Sequence, residues 1–218
     1  MQPSNPQSHQ RYPLTAILGT GGNVRVLRVL ARHGGALAAA QLAEGSGLTL
    51  AGARRSVEGL ASQGIVTVMG GARSSLFALN HTHPLAGALT TLFEAEHDQW
   101  ESLSRQLRST LAKFDLVKAA WLYGSTARGE DRPGSDVDIA IAVDGDIERT
   151  AQAVRDAMHP LEDRYHAAIS IVALTPTDIQ VRADGPWWAE VVRDARVLKA
   201  VPPQRYLAQL RRKPGVPR

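Results

Sequence analysis

The sequence contains no cysteine, few aromatic residues and no long uninterrupted apolar run. The lack of cysteine excludes a disulfide framework and any metal site built on thiolates. No apolar run approaches the roughly 20 residues that a membrane-spanning helix requires, so we expect no membrane partner. Residues 1–13 are rich in Gln, Ser and Pro and lack the charged and apolar regions of a secretory signal. We therefore expect a cytoplasmic protein.

Basic and acidic residues are unevenly distributed along the 218 residues. Residues 1–80 carry seven basic and two acidic side chains, residues 81–200 carry 13 and 19, and residues 201–218 carry five and none. A basic first segment favours binding to a polyanion, and the acidic segment behind it favours chemistry that uses carboxylates. We predict a disordered arm over residues 1–19 and a solvated basic tail over residues 201–218.

Three helices and a hairpin are predicted in the first part of the chain. Apolar residues at intervals of three and four predict helices at 24–32 and 36–44, and a third helix that has Thr49 as its N-cap and ends at Gly64. Two strand-like runs follow, separated by a turn rich in glycine and serine. This order, over residues 20–82, resembles the winged helix-turn-helix domains of bacterial transcription regulators.

The resemblance implies that the third helix is a recognition helix for double-stranded DNA. The candidate DNA contacts are polar or basic residues of that helix and of the hairpin tip, namely Thr49, Arg54, Arg55, Ser56 and Arg73. The same arginines also fit a solvated helix face in a module that binds protein. The basic balance of the segment favours the DNA interpretation.

A helical pattern covers residues 83–114 and is long enough to link two domains. Its apolar stripe fits either a homodimer interface or packing within its own chain, and both alternatives stay open. Over residues 115–200, strands alternate with helices, which predicts an α/β domain with a mixed sheet. The predicted fold is therefore a two-domain α+β chain: a winged helix, a long linking helix and an α/β domain.

The most informative stretch joins a strand, a Gly-Ser turn, a polar loop and a second strand that opens with two aspartates. Residues i and i+2 of a strand project from the same face, so Asp136 and Asp138 can bind one or two divalent cations. Carboxylate oxygens are ligands that Mg²⁺ and Mn²⁺ accept. Gly124 permits close backbone approach to a phosphate, Ser125 can donate to it at a helix start, and Arg128 can face the same phosphates.

The Gly-Ser pair, a spacer of ten residues and the Asp-x-Asp strand resemble the signature of the minimal nucleotidyltransferases of the polymerase-beta superfamily. The resemblance covers residues 115–200. It implies that Asp136 and Asp138 bind catalytic Mg²⁺ or Mn²⁺. It also implies that Gly124 and Ser125 hold the triphosphate of an NTP. The implied reaction transfers NMP to a hydroxyl of a protein or small molecule, with pyrophosphate leaving and two metal ions assisting.

One position departs from the family pattern. The family carries a third carboxylate on the next strand, and the matching position here is Ser170. A serine hydroxyl is no general base near neutral pH, so either Asp163, Asp178 or another acid reaches the site, or the domain binds nucleotide without efficient transfer. The second hypothesis is therefore a DNA-binding regulator whose degenerate transferase domain binds only nucleotide or a partner protein. A third hypothesis, which the resemblance to the family suggests, is that the chain is one half of a two-protein pair of the toxin-antitoxin type, with a small helical partner protein.

The adjacent aromatic residues Trp187 and Trp188 have two interpretations. They could stack on a base at the edge of a cleft, or they could pack in the core and at its rim. An aromatic pair on a short amphipathic helix favours packing.

Overall fold

The structure is a computed structural model, and it describes residues 12–71 and 74–212. The chain divides into two compact units, and the division falls between Gln99 and Trp100. None of the helices in the described ranges is both long and apolar enough to cross a membrane.

The first unit contains short helices and a small antiparallel sheet. Its elements are α1 (Leu14–Ile17), α2 (Gly21–His33), β1 (Leu37–Ala38), α3 (Ala39–Ser46), α4 (Leu50–Ser62), β2 (Val66–Met69) and β3 (Leu76–Leu79). Strand β3 lies between β1 and β2, and its hairpin with β2 pairs Val66 with Leu79 and Met69 with Leu76. Helix α5 (Ala86–Ala112) begins in this unit and ends in the second. The predicted order of helices and hairpin is confirmed.

Helix α4 shows how the sequence produces this unit. The hydroxyl of Thr49 accepts a hydrogen bond from the Gly52 amide at 3.1 Å, which caps the helix at the predicted residue. Its buried residues recur at intervals of three and four, so one face of the helix enters the core. The core combines side chains from the helices and from β3, including Val26, Leu27, Leu30, Leu42, Ala53, Val57, Leu60, Phe77 and Leu79.

Part of the segment predicted as a disordered arm is helical. Residues 14–17 form helix α1, and Ile17 is fully buried in the core of the first unit. Burial of a whole isoleucine side chain contributes about 1.5–3 kcal/mol toward the ordering of this segment. The part of the arm before residue 12 lies outside the described residues.

The second unit is an α/β domain. After the end of α5, its elements are β4 (Val117–Tyr123), α6 (Gly124–Arg128), β5 (Val137–Val143), α7 (Ile147–Tyr165), β6 (Ile169–Leu174), α8 (Pro176–Arg182), α9 (Pro186–Asp194), β7 (Arg196–Lys199) and α10 (Pro203–Arg212). The strand order is β6-β5-β4-β7. The β5–β6 pair is parallel, while β4 pairs antiparallel with β5 and β7. The sheet is mixed, as predicted.

Helices cover both faces of this sheet. On one face, the apolar residues of β5 pack with the end of α5 and with α7, through Leu103, Leu107, Leu111, Val137, Ile139, Ile141, Val154, Met158 and Leu161. On the other face, β4 and β5 pack with α8, α9 and α10, through Trp121, Tyr123, Ala140, Ala142, Ile179, Trp188, Val191, Tyr206 and Leu210. Alternate residues of β5 therefore belong to different cores.

The basic tail is also more ordered than predicted. Residues Pro203–Arg212 form α10, and its Tyr206 and Leu210 are buried against the sheet. The spacing of four places both side chains on one face of the helix, while its arginines remain at the surface. Residues 213–218, the rest of the predicted tail, lie outside the described residues.

Candidate functional site

The two aspartates of the sequence signature lie at the start of β5. Asp136 is exposed just before the strand, and Asp138 is half-buried at its second residue. Val137 between them is buried in the core formed with α5 and α7. By strand alternation, both aspartates project from the opposite face, the one that α8, α9 and α10 cover. The structure thus brings the predicted carboxylates to the same side of the sheet.

Gly124 lies directly against Asp138. Tyr123, the last residue of β4, pairs with Asp138 across the antiparallel ladder, so the chain turns into α6 beside the carboxylate. Gly124 has a φ of +76°, and a Cβ added to it would lie 2.8 Å from Asp138 Oδ2. Only glycine combines this backbone conformation with such a close approach. Ser125 follows in the first turn of α6 and is partly exposed.

Thr126 fixes the position of Asp136. Its side-chain Oγ1 donates a hydrogen bond to the main-chain carbonyl of Asp136 at 2.9 Å. The loop before Asp136 is closed by Ser135, whose amide donates to the Arg132 carbonyl at 2.8 Å and whose Oγ accepts from the Arg132 amide at 2.9 Å. The sequence prediction did not include Thr126, because a threonine inside a short helix gives no local signal for a bond to a residue ten positions later.

The electrostatics of the carboxylate pair favour a cation. Burial raises the pKa of Asp138, and the nearby charges of Asp136 and Glu190 raise it further. No Lys, Arg or His within the described ranges forms an ion pair with Asp136 or Asp138. Nor do residues 12–71 and 74–212 contain a group of three or more His, Asp or Glu side chains placed to hold a metal ion. The donor set is therefore two carboxylates, and water and substrate oxygens would have to complete the coordination of a cation.

Arg128, predicted to contact phosphate, is paired with carboxylates in the structure. Its guanidinium donates to Glu130 Oε2 at 2.7 Å and forms a shorter hydrogen bond to Asp194, with Glu190 Oε1 at 3.8 Å. The hydrogen bonds from Glu130 and Asp194 raise the pKa of Arg128. A guanidinium held by three carboxylates is already paired, so its role is to attach α6 to α9. The phosphate contact of Arg128 stays a prediction.

Asp194 is the buried centre of this polar network. Its side chain is 2% exposed and accepts hydrogen bonds from Arg193 at 2.7 Å and from Arg128. These hydrogen bonds, first that from Arg193, hold the pKa of Asp194 below its usual range. Arg196 adds a hydrogen bond from its Nε to the Ala127 carbonyl at 2.7 Å. The end of α6 is thus held by residues more than 60 positions later in the sequence.

The adjacent tryptophans separate into two environments. Trp188 is buried, with its ring 5.7 Å from Trp121 in an edge-to-face contact, as the packing interpretation predicted. Trp187 is half-buried and makes an edge-to-face contact with Tyr123 at 5.7 Å between ring centroids. Burial raises the pKa of Tyr123, a hydrogen bond with Trp187 lowers it, and Asp138 and Glu190 raise it further. Trp187 therefore borders the carboxylate side of the sheet.

Ser170 lies beside Asp138, at the position that the sequence matched to the third carboxylate of the family. The two residues are paired in the parallel register of β5 and β6. The two acids suggested as substitutes, Asp163 and Asp178, do not provide a free carboxylate on the face of the sheet that carries Asp138. Asp178 accepts hydrogen bonds from the amide and hydroxyl of Thr175 at 2.9 and 2.7 Å as part of the α8 cap. Asp163 is exposed on α7, which covers the opposite face of the sheet.

The residues of α4 that were predicted to contact DNA differ in their exposure to solvent. Arg54 and Arg55 are exposed, and the Thr49 hydroxyl is used as the helix cap. Ser56 is buried, and a Cβ added to Gly22 of α2 would lie 2.5 Å from its Oγ. The prediction for Ser56 is therefore wrong, because its side chain fills the contact between α4 and α2. Arg73 lies outside the described residues.

Two family models match the chain. Residues 105–184 match the model described as Polymerase beta, Nucleotidyltransferase, which includes the stretch from Gly124 to Asp138. Residues 24–68 match the model of the IclR helix-turn-helix domain, which extends from α2 into β2. These matches confirm the predicted combination of a helix-turn-helix domain and a nucleotidyltransferase domain. No curated protein sequence matches the chain.

Several solved structures resemble part of the chain weakly. A crystal structure of a toxin-antitoxin with AMP-PNP has 15% identity over 49% of this chain and 82% of that chain, with a TM-score of 0.36. The crystal structure of the AntR antimony-specific transcriptional repressor has 18% identity over 47% and 93%, with a TM-score of 0.37. The homodimeric winged helix-turn-helix domain of Mb0332 from Mycobacterium bovis has 19% identity over 45% and 92%, with a TM-score of 0.33. At these TM-scores, the likenesses carry no conclusion about what this chain binds.

Proposed function

We propose that the second unit transfers a nucleoside monophosphate from an NTP to a hydroxyl of a protein or small molecule, with Mg²⁺ or Mn²⁺, and that the first unit binds double-stranded DNA. The observation that supports the transfer reaction most directly is the pair Asp136 and Asp138. The two carboxylates share one side of the sheet beside Gly124 and have no cationic side chain as partner within the described ranges.

The residues present fit a divalent cation of the magnesium type. Asp136 and Asp138 offer hard oxygen ligands, and their mutual repulsion would be relieved by a positive charge. Mg²⁺ is commonly held by one or two carboxylates together with water and substrate phosphates, which matches a site with two acids. When bound, such an ion supplies charge stabilisation at the phosphoryl oxygens.

Gly124 and Ser125 are proposed to bind the triphosphate. The absence of a side chain at Gly124 leaves room for a phosphate to approach the main chain next to Asp138. Ser125 contributes a partly exposed hydroxyl in the first turn of α6. Arg128 acts indirectly in this proposal, because its bond to Asp194 of α9 holds α6 in place.

The proposed chemistry is an in-line displacement at the α-phosphorus. The acceptor oxygen forms a bond to phosphorus while the bond from phosphorus to the oxygen of pyrophosphate breaks, and the acceptor hydroxyl loses its proton. Positioning and electrostatic stabilisation supply most of the rate enhancement in reactions of this kind. The second unit therefore needs a rigid arrangement of Asp136, Asp138 and Gly124, which the bonds of Thr126 and Arg128 provide.

The experiment that tests this proposal is a transfer assay with the full chain. Each of the four NTPs, labelled at the α-phosphate, is incubated with Mg²⁺ and with N-acetylated serine, threonine and tyrosine amides or a polyol as acceptor. We expect labelled acceptor and free pyrophosphate, both abolished by EDTA and by Asp136→Asn or Asp138→Asn. Asp131→Asn, an exposed acid in the same loop, is the matched control and should keep the activity.

A wild-type chain that consumes none of the four NTPs under these conditions contradicts the proposed transfer. Equal loss of activity in the Asp131→Asn control would contradict the assignment of the metal to Asp136 and Asp138. Restoration of activity by Mn²⁺ after EDTA treatment would support it.

DNA binding is proposed for α4 of the first unit. Its exposed Arg54 and Arg55 fit phosphate or base-edge contacts, and the match to a helix-turn-helix family model supports this role. A homodimer and a small helical partner stay predictions, which light scattering and co-purification with neighbouring gene products would test. The cytoplasmic location is likewise a prediction.

A further inference from the structure

The proposed transfer requires a group that accepts the proton of the acceptor hydroxyl, and this inference rests on that proposed function. Asp136 and Asp138 are assigned to the metal, and the neighbouring strand offers only Ser170 beside Asp138. Asp178 is used by the α8 cap, and Asp163 lies on the helix that covers the other face. Among the described residues, Glu190 of α9 is a further, partly exposed carboxylate on the face of the sheet that Asp138 shares.

Two contacts locate Glu190 on the side of α9 that faces Tyr123 and α6. Trp187, one turn earlier on α9, packs edge-to-face on Tyr123, and Tyr123 is the cross-strand partner of Asp138. Residues three apart share a helix face, so Glu190 projects on the same side of α9 as Trp187. From α6, Arg128 Nη1 approaches Glu190 Oε1 at 3.8 Å. Glu190 is thus located between α6 and the aromatic contact, on the face of the sheet that Asp138 shares.

The side chain of Glu190 is accessible and is paired with two arginines. Its side chain is 42% exposed, so an acceptor hydroxyl can reach it from solvent. Glu190 does not form a metal-binding cluster with Asp136 and Asp138, since the described part of the chain contains no group of three His, Asp or Glu side chains that could hold a metal ion. The charged or titratable groups that face it are Arg128 from α6, Arg193 of its own helix at 4.0 Å, and Tyr123 and Asp138 from the sheet.

We infer that Glu190 is the general base of the transfer reaction and replaces the carboxylate that β6 lacks. As the acceptor oxygen bonds to the α-phosphorus, its proton passes to a carboxylate oxygen of Glu190. The bond between the α-phosphorus and the bridging oxygen breaks, and pyrophosphate leaves with that electron pair. Glu190 then releases the proton to solvent. Arg128 and Arg193 orient the carboxylate between them.

Glu190→Gln tests the assignment, with Glu130→Gln as its matched control. Both changes remove one carboxylate from the surroundings of Arg128, since Glu130 lies 2.7 Å from Arg128 Nε. Only Glu190→Gln removes the carboxylate on the Asp138 side. We expect kcat for transfer from the best of the four NTPs to fall about 10²- to 10⁴-fold in Glu190→Gln, the usual contribution of a general base. The Kd for that NTP with Mg²⁺, measured by calorimetry, should stay unchanged in both variants, and kcat should stay unchanged in Glu130→Gln.

The outcomes separate this inference from the proposed function. Full activity in Glu190→Gln overturns the role of Glu190 and leaves the proposed function standing. Loss of nucleotide binding in Glu190→Gln, or equal loss of kcat in Glu130→Gln, also overturns it, because the residue would then act through Arg128 and the position of α6. A wild-type chain without transfer activity overturns both proposals. Thermal unfolding of each variant verifies that the fold is retained.

Discussion

The carboxylate of Asp138 occupies the space that a side chain at position 124 would need. A Cβ on Gly124 would lie 2.8 Å from Asp138 Oδ2, and the φ of Gly124 is +76°. The close approach to the carboxylate and the left-handed backbone conformation are two separate constraints on position 124. A comparison of Gly124 with Gly129 distinguishes their effects.

Gly124→Ala is predicted to lose both stability and function. The left-handed backbone conformation costs a residue with a side chain roughly 1–2 kcal/mol, and the added Cβ also displaces Asp138. Gly129→Ala is the matched control, because Gly129 has a φ of +73° and no atom within 4 Å of an added Cβ. Urea unfolding should show a similar loss of stability in both variants. Calorimetry with an NTP and Mg²⁺ should show lost binding only in Gly124→Ala, and equal binding by the two variants would contradict the role of the close approach.

Asp138→Asn is predicted to stabilise the chain without metal while abolishing its response to metal. Burial and the charges of Asp136 and Glu190 raise the pKa of Asp138, so the ionised form destabilises the folded state at neutral pH. Removal of this charge should raise Tm in EDTA by about 1–2 °C, as for a change of about 0.5 kcal/mol in a chain of this length. The increase of Tm that Mg²⁺ and NTP cause in the wild type should disappear. Asp131→Asn should behave as the wild type in both scans, and a lower Tm of Asp138→Asn in EDTA would contradict the prediction.

The buried carboxylate of Asp194 predicts a specific loss of stability in acid. Hydrogen bonds from Arg193 and Arg128 hold its pKa below the usual range, so its contribution is complete above the ordinary aspartate pKa of about 3.9. The contribution is lost as pH falls through the lower pKa of the folded state. Asp194→Asn should cost about 1–3 kcal/mol at pH 7, where it leaves Arg128 and Arg193 without this acceptor. The difference between wild type and variant should shrink below pH 4 in urea unfolding, and a constant difference from pH 7 to pH 3 would argue against it.

DNA binding through α4 is predicted to depend on two arginines and not on Ser56. The double variant Arg54→Ala with Arg55→Ala should bind double-stranded DNA more weakly. Its slope of log K against log salt concentration should be lower by about 2, roughly 0.9 for each lost phosphate contact. Ser56→Ala should bind as the wild type, because Ser56 is buried against Gly22. Arg32→Ala, an exposed arginine at the end of α2, is the control. Fluorescence anisotropy at several salt concentrations measures these constants, and an unchanged slope in the double variant would exclude α4 as the DNA contact.

The sequence predicted those parts of the structure that depend on local patterns. Thr49 was identified as a helix cap because a threonine before an apolar periodic run satisfies free amides. The position of Ser170 next to Asp138 followed from the resemblance to the nucleotidyltransferases, whose third carboxylate stands on the next strand. The burial of Ser56 could also have been predicted, because positions 53, 56, 57 and 60 lie on one helical face.

Contacts between distant residues escaped prediction. Asp194 and Glu190 reach Arg128 across more than 60 residues, and no local pattern indicates such pairs. The basic residues of the last segment led to the prediction of a solvated tail, although Tyr206 and Leu210 form an apolar face on α10. In both cases the tertiary arrangement of helices around the sheet decides which side chains meet.

The hydrogen bond from Thr126 to the Asp136 carbonyl spans the base of the loop between α6 and β5. With both ends of the loop fixed relative to each other, the residues at its tip are free to change without moving the aspartates. The exposed Asp131, which precedes the hydrogen-bonded turn from Arg132 to Ser135, is thus a suitable place for a genetically encoded label or a short insertion. A fluorophore there would sit beside the site without taking part in it and could report the arrival of a nucleotide.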